Sequence, residues 1–85
     1  MWIIKDIFIH GSGSSDEKYY TAVLYDQKHK EGIDVILAQS GSNFIAFEEK
    51  TDLLHHLDVS SLEINSLEEL KNGDIIKIIC SIPKS

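Results

Sequence analysis

The apolar residues of this chain arrive in short blocks, each stopped by a few polar or glycine residues. The first block, Met1 to His10 (MWIIKDIFIH), is dense in isoleucine and aromatic side chains and ends at Gly11. Runs of this length and composition favour strands over helices, because branched and flat side chains pack well on a pleated surface. Tyr19–Asp26, Ile33–Ser40, Phe44–Glu49 and Asp74–Ile82 have the same character. Gln27–Gly32 and Gly41–Asn43 are the only breaks between the second, third and fourth blocks. Connections so brief join antiparallel neighbours, so residues 19–49 read as a meander.

The pattern changes after Lys50. Thr51 can cap a short helix in which Leu53, Leu54 and Leu57 cluster at helical spacing. Val59 to Ile64 fits a loop or a short edge strand. Ser66-Leu67-Glu68-Glu69 matches a capping box, with a serine cap and a glutamate three residues on, and Asn72-Gly73 stops that turn. The order β-β-β-β-α-(turn)-β predicts an α+β fold. Its sheet would have five mainly antiparallel strands, with one short helix and a helical turn on one face. No repeat or linker divides residues 1–85, and 85 residues support one modest core.

Several strands carry apolar residues on both faces. In the first, Met1, Ile3, Ile7 and Ile9 alternate with Trp2, Ile4 and Phe8. In the last, Ile76, Ile78, Cys80 and Ile82 share one side, which predicts Cys80 as a small core residue. One short helix covers one face of a sheet only. The second face therefore calls for a second copy of the chain or for a heterologous protein partner.

Charge narrows the partner. The net charge is −6, and all of the excess lies in residues 31–85, where four lysines face ten carboxylates. There is no arginine. Nucleic-acid binders neutralise phosphate with a basic stripe, so direct binding to DNA or RNA is not expected. The acidity suits solubility or docking on a basic partner. No apolar run approaches a membrane span, and the N-terminus lacks a signal peptide's basic start and long apolar stretch. A single cysteine forms no internal disulfide, so a cytoplasmic location is expected.

Motifs for chemistry are incomplete. Ile7-Phe8-Ile9-His10-Gly11-Ser12-Gly13 resembles the strand and oxyanion loop of α/β-hydrolases, but no Gly-x-Ser-x-Gly elbow accompanies it. Gly11 to Ser15 could wrap an anion through backbone amides, which makes His10, Gly11, Ser12 and Gly13 a candidate site for a small anion or nucleotide. As a phosphate loop it lacks the following helix and lysine. Asp52 with His56, and His55 with Asp58, would share helix faces, yet nothing completes a set of metal ligands. Glu48-Glu49 and Glu68-Glu69 are adjacent in sequence rather than opposed across a cleft. No metal, cofactor or catalytic residue is expected. Leu67 to Ile78 resembles the ending of ubiquitin-like β-grasp modules, where a leucine-bearing turn and Asn-Gly-Asp lead into the last strand. The four strands ahead of it depart from that family's order, so no function is carried over.

The expectation is a non-enzymatic accessory protein that binds another protein, as a homodimer or with a basic partner. Trp2, Tyr19, Tyr20 and Phe44 would supply contact area, and Glu48, Glu49 and Asp52 would steer, within an acidic face extending to Asp58, Glu63, Glu68 and Glu69.

Overall fold

The computed structural model describes residues 1–11 and 19–84. Six strands follow one another: β1 (Trp2–His10), β2 (Tyr19–Asp26), β3 (Glu31–Ser40), β4 (Asn43–Glu48), β5 (Leu53–Asp58) and β6 (Ile75–Pro83). Each pairs antiparallel with the next, and β6 returns to β1, so the sheet closes into a barrel. Two short 3-10 turns, Ser60–Leu62 and Leu67–Glu69, are the only helical pieces among the described residues. No helix among these residues is long and apolar enough to cross a membrane.

The expected α+β fold is therefore corrected to an all-β barrel, and the expected helix is β5. Leu53, Leu54 and Leu57 fit a helical face, but Leu53, His55 and Leu57 also fit strand alternation, and so short a run cannot separate the two periods. Pairing decides it: Phe44↔Leu57 through Glu48↔Leu53 on one side and His56↔Cys80 on the other give every residue of β5 strand neighbours. Thr51 caps nothing helical. Residues 49–52 form a four-residue hairpin loop closed by Asp52 N–H to the Glu49 carbonyl, with Asp52 at φ 57°. The loop between β2 and β3 is also four residues long, with Lys30 at φ 54° in the matching position. Gly41-Ser42 joins β3 to β4, with Gly41 at φ 61° in the position where type II′ turns take glycine.

The interior holds Ile4, Leu24 and Ile76, all but fully buried, among Ala22, Val35, Leu37, Phe44, Ala46 and Leu57. Burying each large side chain contributes about 1.5–3 kcal/mol. Two β-bulges set which residues reach it. In β1, Lys5 pairs with Val23 but Phe8 pairs with Thr21, so three steps on β1 match two on β2, and Asp6 takes φ 50°. In β6, His56↔Cys80 is followed by Leu57↔Ile78, leaving one extra residue there. A bulge bends its strand and shifts the alternation by one residue. Hence Ile4 and Ile7 both pack inward while Phe8 is 60% exposed. Likewise Ile76 and Ile78 pack inward while Cys80 and Ile82 point outward. The expected burial of Cys80 is corrected: the bulge turns it to the surface.

Residues 59–74 stop one end of the barrel, with Val59, Leu67 and Leu70 buried on the core. The capping box forms there: Glu68 N–H donates to Ser66 Oγ (3.1 Å), and Ser66 N–H donates to Glu69 Oε2 (3.0 Å). Val59–Ile64 is a loop, not a strand, built around the 3-10 turn Ser60–Leu62 and its C-cap Glu63 at φ 53°. Asn72-Gly73-Asp74 stitches this segment to β1. Gly73 N–H donates to the Ile4 carbonyl (2.7 Å), and Ile4 N–H donates to the Asp74 carbonyl (2.9 Å). Asn72 Oδ1 accepts from Ile7 N–H (3.0 Å), the amide just past the bulge.

Candidate functional site

Once hairpin register is set, side chains pointing away from the core fall into cross-strand rows. One row crosses the whole sheet on its outer side: Phe8↔Thr21, Thr21↔Ile36, Ile36↔Phe47, Phe47↔Leu54 and Leu54↔Ile82. Five of those six residues are apolar. A barrel interior already filled by its own core leaves such a row on the solvent side, where Phe8 and Ile82 are 60% and 46% exposed.

A shallow groove runs along this row over β2, β3 and β4. Phe8, Val23, Ile36 and Phe47 line its apolar part, with Tyr19 at one side. Gly32 helps keep it open, because a Cβ there would come within 3.2 Å of Val23 Cγ1. Asp6, Glu31, Asp34 and Glu49 also line it, against Lys50. The Lys84 ammonium lies 4.4 Å from the centre of the Phe47 ring. The groove is thus apolar at its centre and acidic in balance.

A second cluster sits inside the barrel, at the end away from residues 59–74. His55 Nδ1 is 2.6 Å from Ser81 Oγ, and its Nε2 is 3.0 Å from Glu48 Oε1. His55 and Glu48 are both buried. Each ring nitrogen of His55 thus meets one oxygen, and the imidazole bridges the Glu48 carboxyl and the Ser81 hydroxyl. The inner row Leu37↔Ala46↔His55↔Ser81 explains the fit, since small residues on either side leave room for the ring. Serine, histidine and carboxylate are the components of an acyl-transfer triad. The arrangement leaves each of its buried groups with a partner, and Ser81 holds its outer, exposed end on β6.

A third cluster lies where β1 ends. The His10 ring stacks on Tyr19, centroids 4.8 Å apart and 12° from parallel, and its Nε2 is 2.7 Å from Thr21 Oγ1. The anion-loop reading rested on His10, Gly11, Ser12 and Gly13, of which Ser12 and Gly13 lie outside the described residues.

The structure separates the residues expected at a partner surface. Tyr19 faces outward and borders the groove with Glu49. Tyr20 points the other way and packs on the core, where burial, and then the Glu68 charge, push its phenol pKa up. Trp2 packs against the core opposite Ile76. Phe44 is buried, and Glu48 is committed to His55. Asp52 lies in the loop beside Glu49, and its carbonyl accepts from Lys84 N–H (3.0 Å). The acidic residues form no single face. Glu63, Glu68 and Glu69 belong to the stopper, with Glu69 spent on its capping box. Asp58 caps the turn after β5, where bonds from Ser60 hold its carboxyl below its ordinary pKa.

The outer row was not anticipated from sequence. Its signal was available: the Gly41-Ser42 hairpin forces Ile36 opposite Phe47, once the outward apolar residues are followed across strands. On a helix His55 would share a face with Asp58; on β5 it points inward and pairs with Glu48. Among the described residues, no three of His, Cys, Asp and Glu lie close enough to hold a metal ion. Comparison with protein-family models, with curated proteins and with solved structures finds no match.

Proposed function

We propose that this chain is a non-enzymatic binding module whose outer groove over β2, β3 and β4 takes a basic, apolar-bearing segment of a partner protein. The observation that carries this is the outward row from Phe8 to Ile82, an apolar strip with no role in filling the core. Apolar contact area supplies affinity, while Asp6, Glu31, Asp34 and Glu49 steer a cationic segment and discriminate against acidic ones. A reducing, cytoplasmic setting suits the exposed thiol of Cys80.

The test is a titration of isotope-labelled protein with a peptide alternating lysine and leucine, and with its glutamate counterpart, followed by amide chemical shifts. The lysine peptide is expected to shift Val23, Asp34, Ile36 and Phe47, with affinity falling as salt rises. Ile36→Ser should weaken it about tenfold or more, the equivalent of ~1.4 kcal/mol. Shifts scattered over the surface, or equal binding of the glutamate peptide, would remove the groove as the site.

A further inference from the structure

The barrel closes along an incomplete seam. β1 and β6 pair only at Trp2↔Ile76 and Ile3↔Ile75, after which β1 continues along Asp74 and Gly73 rather than along β6. β6 runs the other way, past the start of β1. From Ile78 to Pro83 it pairs with β5 on one side, and among the described residues no strand lies on its other side. A strand edge of this kind presents unpaired backbone N–H and C=O groups and is a template for adding a further strand.

Proteins usually blunt such an edge with charge. Here Ile78-Ile79-Cys80-Ser81-Ile82 carries none, and Pro83 and Lys84 come only at its end. Ile79 is 66% exposed, and Cys80, Ser81 and Ile82 are exposed with it. On β5, the residues opposite are Leu54, His55, His56 and Leu57, so no carboxylate of either strand lies between Asp58 and the end of β5's pairing. This contrasts with the groove, whose carboxylates would oppose one another if two copies met there.

We propose that the free edge of β6 pairs antiparallel with the same edge of a second copy, about a two-fold axis at Ser81. That register places Ser81 opposite the second copy's Ser81 and Cys80 opposite its Ile82. Facing residues on adjacent strands share a side of the sheet, and both pairings respect this: Ser81 points inward to His55, while Cys80 and Ile82 point outward. The outer apolar row then runs on from Leu54 and Ile82 into the second copy. Lys77 and Lys84 are spaced so that neither meets its counterpart. Centring the axis on Cys80 instead would oppose outward Ile82 to inward Ile78, because the β6 bulge lies between them. A second copy is favoured over a basic partner here, since the edge offers no carboxylate to attract one. The inference is independent of the groove: it concerns another strand and is tested by another readout.

Light scattering on a sizing column, over about a hundredfold range of concentration, gives the mass, since association follows mass action. The wild type is expected to approach the mass of two chains at the upper end. Ile82→Lys places like charge beside the axis at an already exposed position, so it should give one chain throughout, with the melting temperature of the wild type at concentrations where that too is one chain. Register is read from Ile82→Cys treated with oxidised glutathione. Cys80 should link to the introduced thiol of the second copy, as identified by mass spectrometry, with two glutathione molecules released per link. A wild type of one chain at every concentration, an Ile82→Lys variant of unchanged mass, or a link joining Cys80 to Cys80 would each overturn the proposal as stated.

Discussion

At one end of the barrel the chain itself is the stopper, with residues 59–74 laying Val59, Leu67 and Leu70 over the core. At the other end two loops are only four residues long, and the side chains of Glu48 and His55 occupy the interior, with the exposed Ser81 bonded to His55 at its edge. The first closure draws on apolar area, which is non-directional and degrades in proportion to what is removed. The second draws on satisfied polar groups, which hold only while every partner is present. Two ends of one small barrel thus follow different rules of substitution.

The largest effect should come from the stopper. Leu70→Ala leaves a cavity under residues 59–74 and should cost about 2–5 kcal/mol, whereas Leu70→Met should cost less than about 1.5 kcal/mol. Denaturant midpoints measure both, and equal losses would mean that the site is not packed as described.

At the opposite end, His55→Leu removes the hydrogen-bond partner of the buried Glu48 side chain and should cost about 1–3 kcal/mol. The combined Glu48→Leu, His55→Leu variant should be less damaged than the two single losses added together, because no polar group is then stranded. Additive losses would show that the two groups do not act as a unit.

A smaller effect is expected at the joint between stopper and sheet. Gln39 Nε2 donates to the carbonyls of Gly41 (2.9 Å) and Asn65 (2.7 Å), and its Oε1 accepts from Leu67 N–H (3.1 Å). Gln39→Ala should speed hydrogen exchange at Leu67 and its neighbours while leaving the strands protected. Uniform acceleration would mean that the stopper opens only with the whole barrel.

The smallest effect separates the ends by pH. At the polar end, Asp26 Oδ2 lies 2.6 Å from His29 Nδ1 in the loop between β2 and β3. This bond holds the Asp26 pKa down and the His29 pKa up. A raised imidazole pKa contributes stability below its ordinary value, lost as pH rises through the raised one. A lowered carboxyl pKa contributes stability above its ordinary value, lost as pH falls through the lowered one. The pair therefore helps most between the two, and little, because it is exposed to solvent. In an NMR titration, Asp26→Asn should return His29 towards its ordinary pKa. An unmoved His29 would refute the contact.

Much of the sheet could be read in advance. Four of the blocks became β1 to β4 nearly as bounded, and the capping box at Ser66 formed as the residue types require, although the turn it opens ends at the extended Leu70 and not at Asn72-Gly73. What could not be read was long-range. Leu53, Leu54 and Leu57 satisfy two periods, and only the partners in β4 and β6 choose between them. Closure depends on Trp2 and Ile3 meeting Ile76 and Ile75, more than seventy positions away. The inward pairing of Glu48 with His55 depends on β5 being a strand, so that misreading hid the polar end altogether. The charged groove needed register as well as face, and register is set by the loops.

The two bulges bear on how this chain can change length. Remove Asp6 on paper and β1 reads Trp2 in, Ile3 out, Ile4 in, Lys5 out, Ile7 in, Phe8 out, an unbroken alternation. Remove Ile79 and β6 reads Ile76 in, Lys77 out, Ile78 in, Cys80 out, Ser81 in, Ile82 out. Each strand thus carries one supernumerary residue at a known place. Elsewhere in a strand a one-residue deletion transposes every side chain beyond it. At these two points it would cost the local bend and spare the assignment of faces, which makes Asp6 and Ile79 the positions where this barrel can shed a residue and keep its inside in.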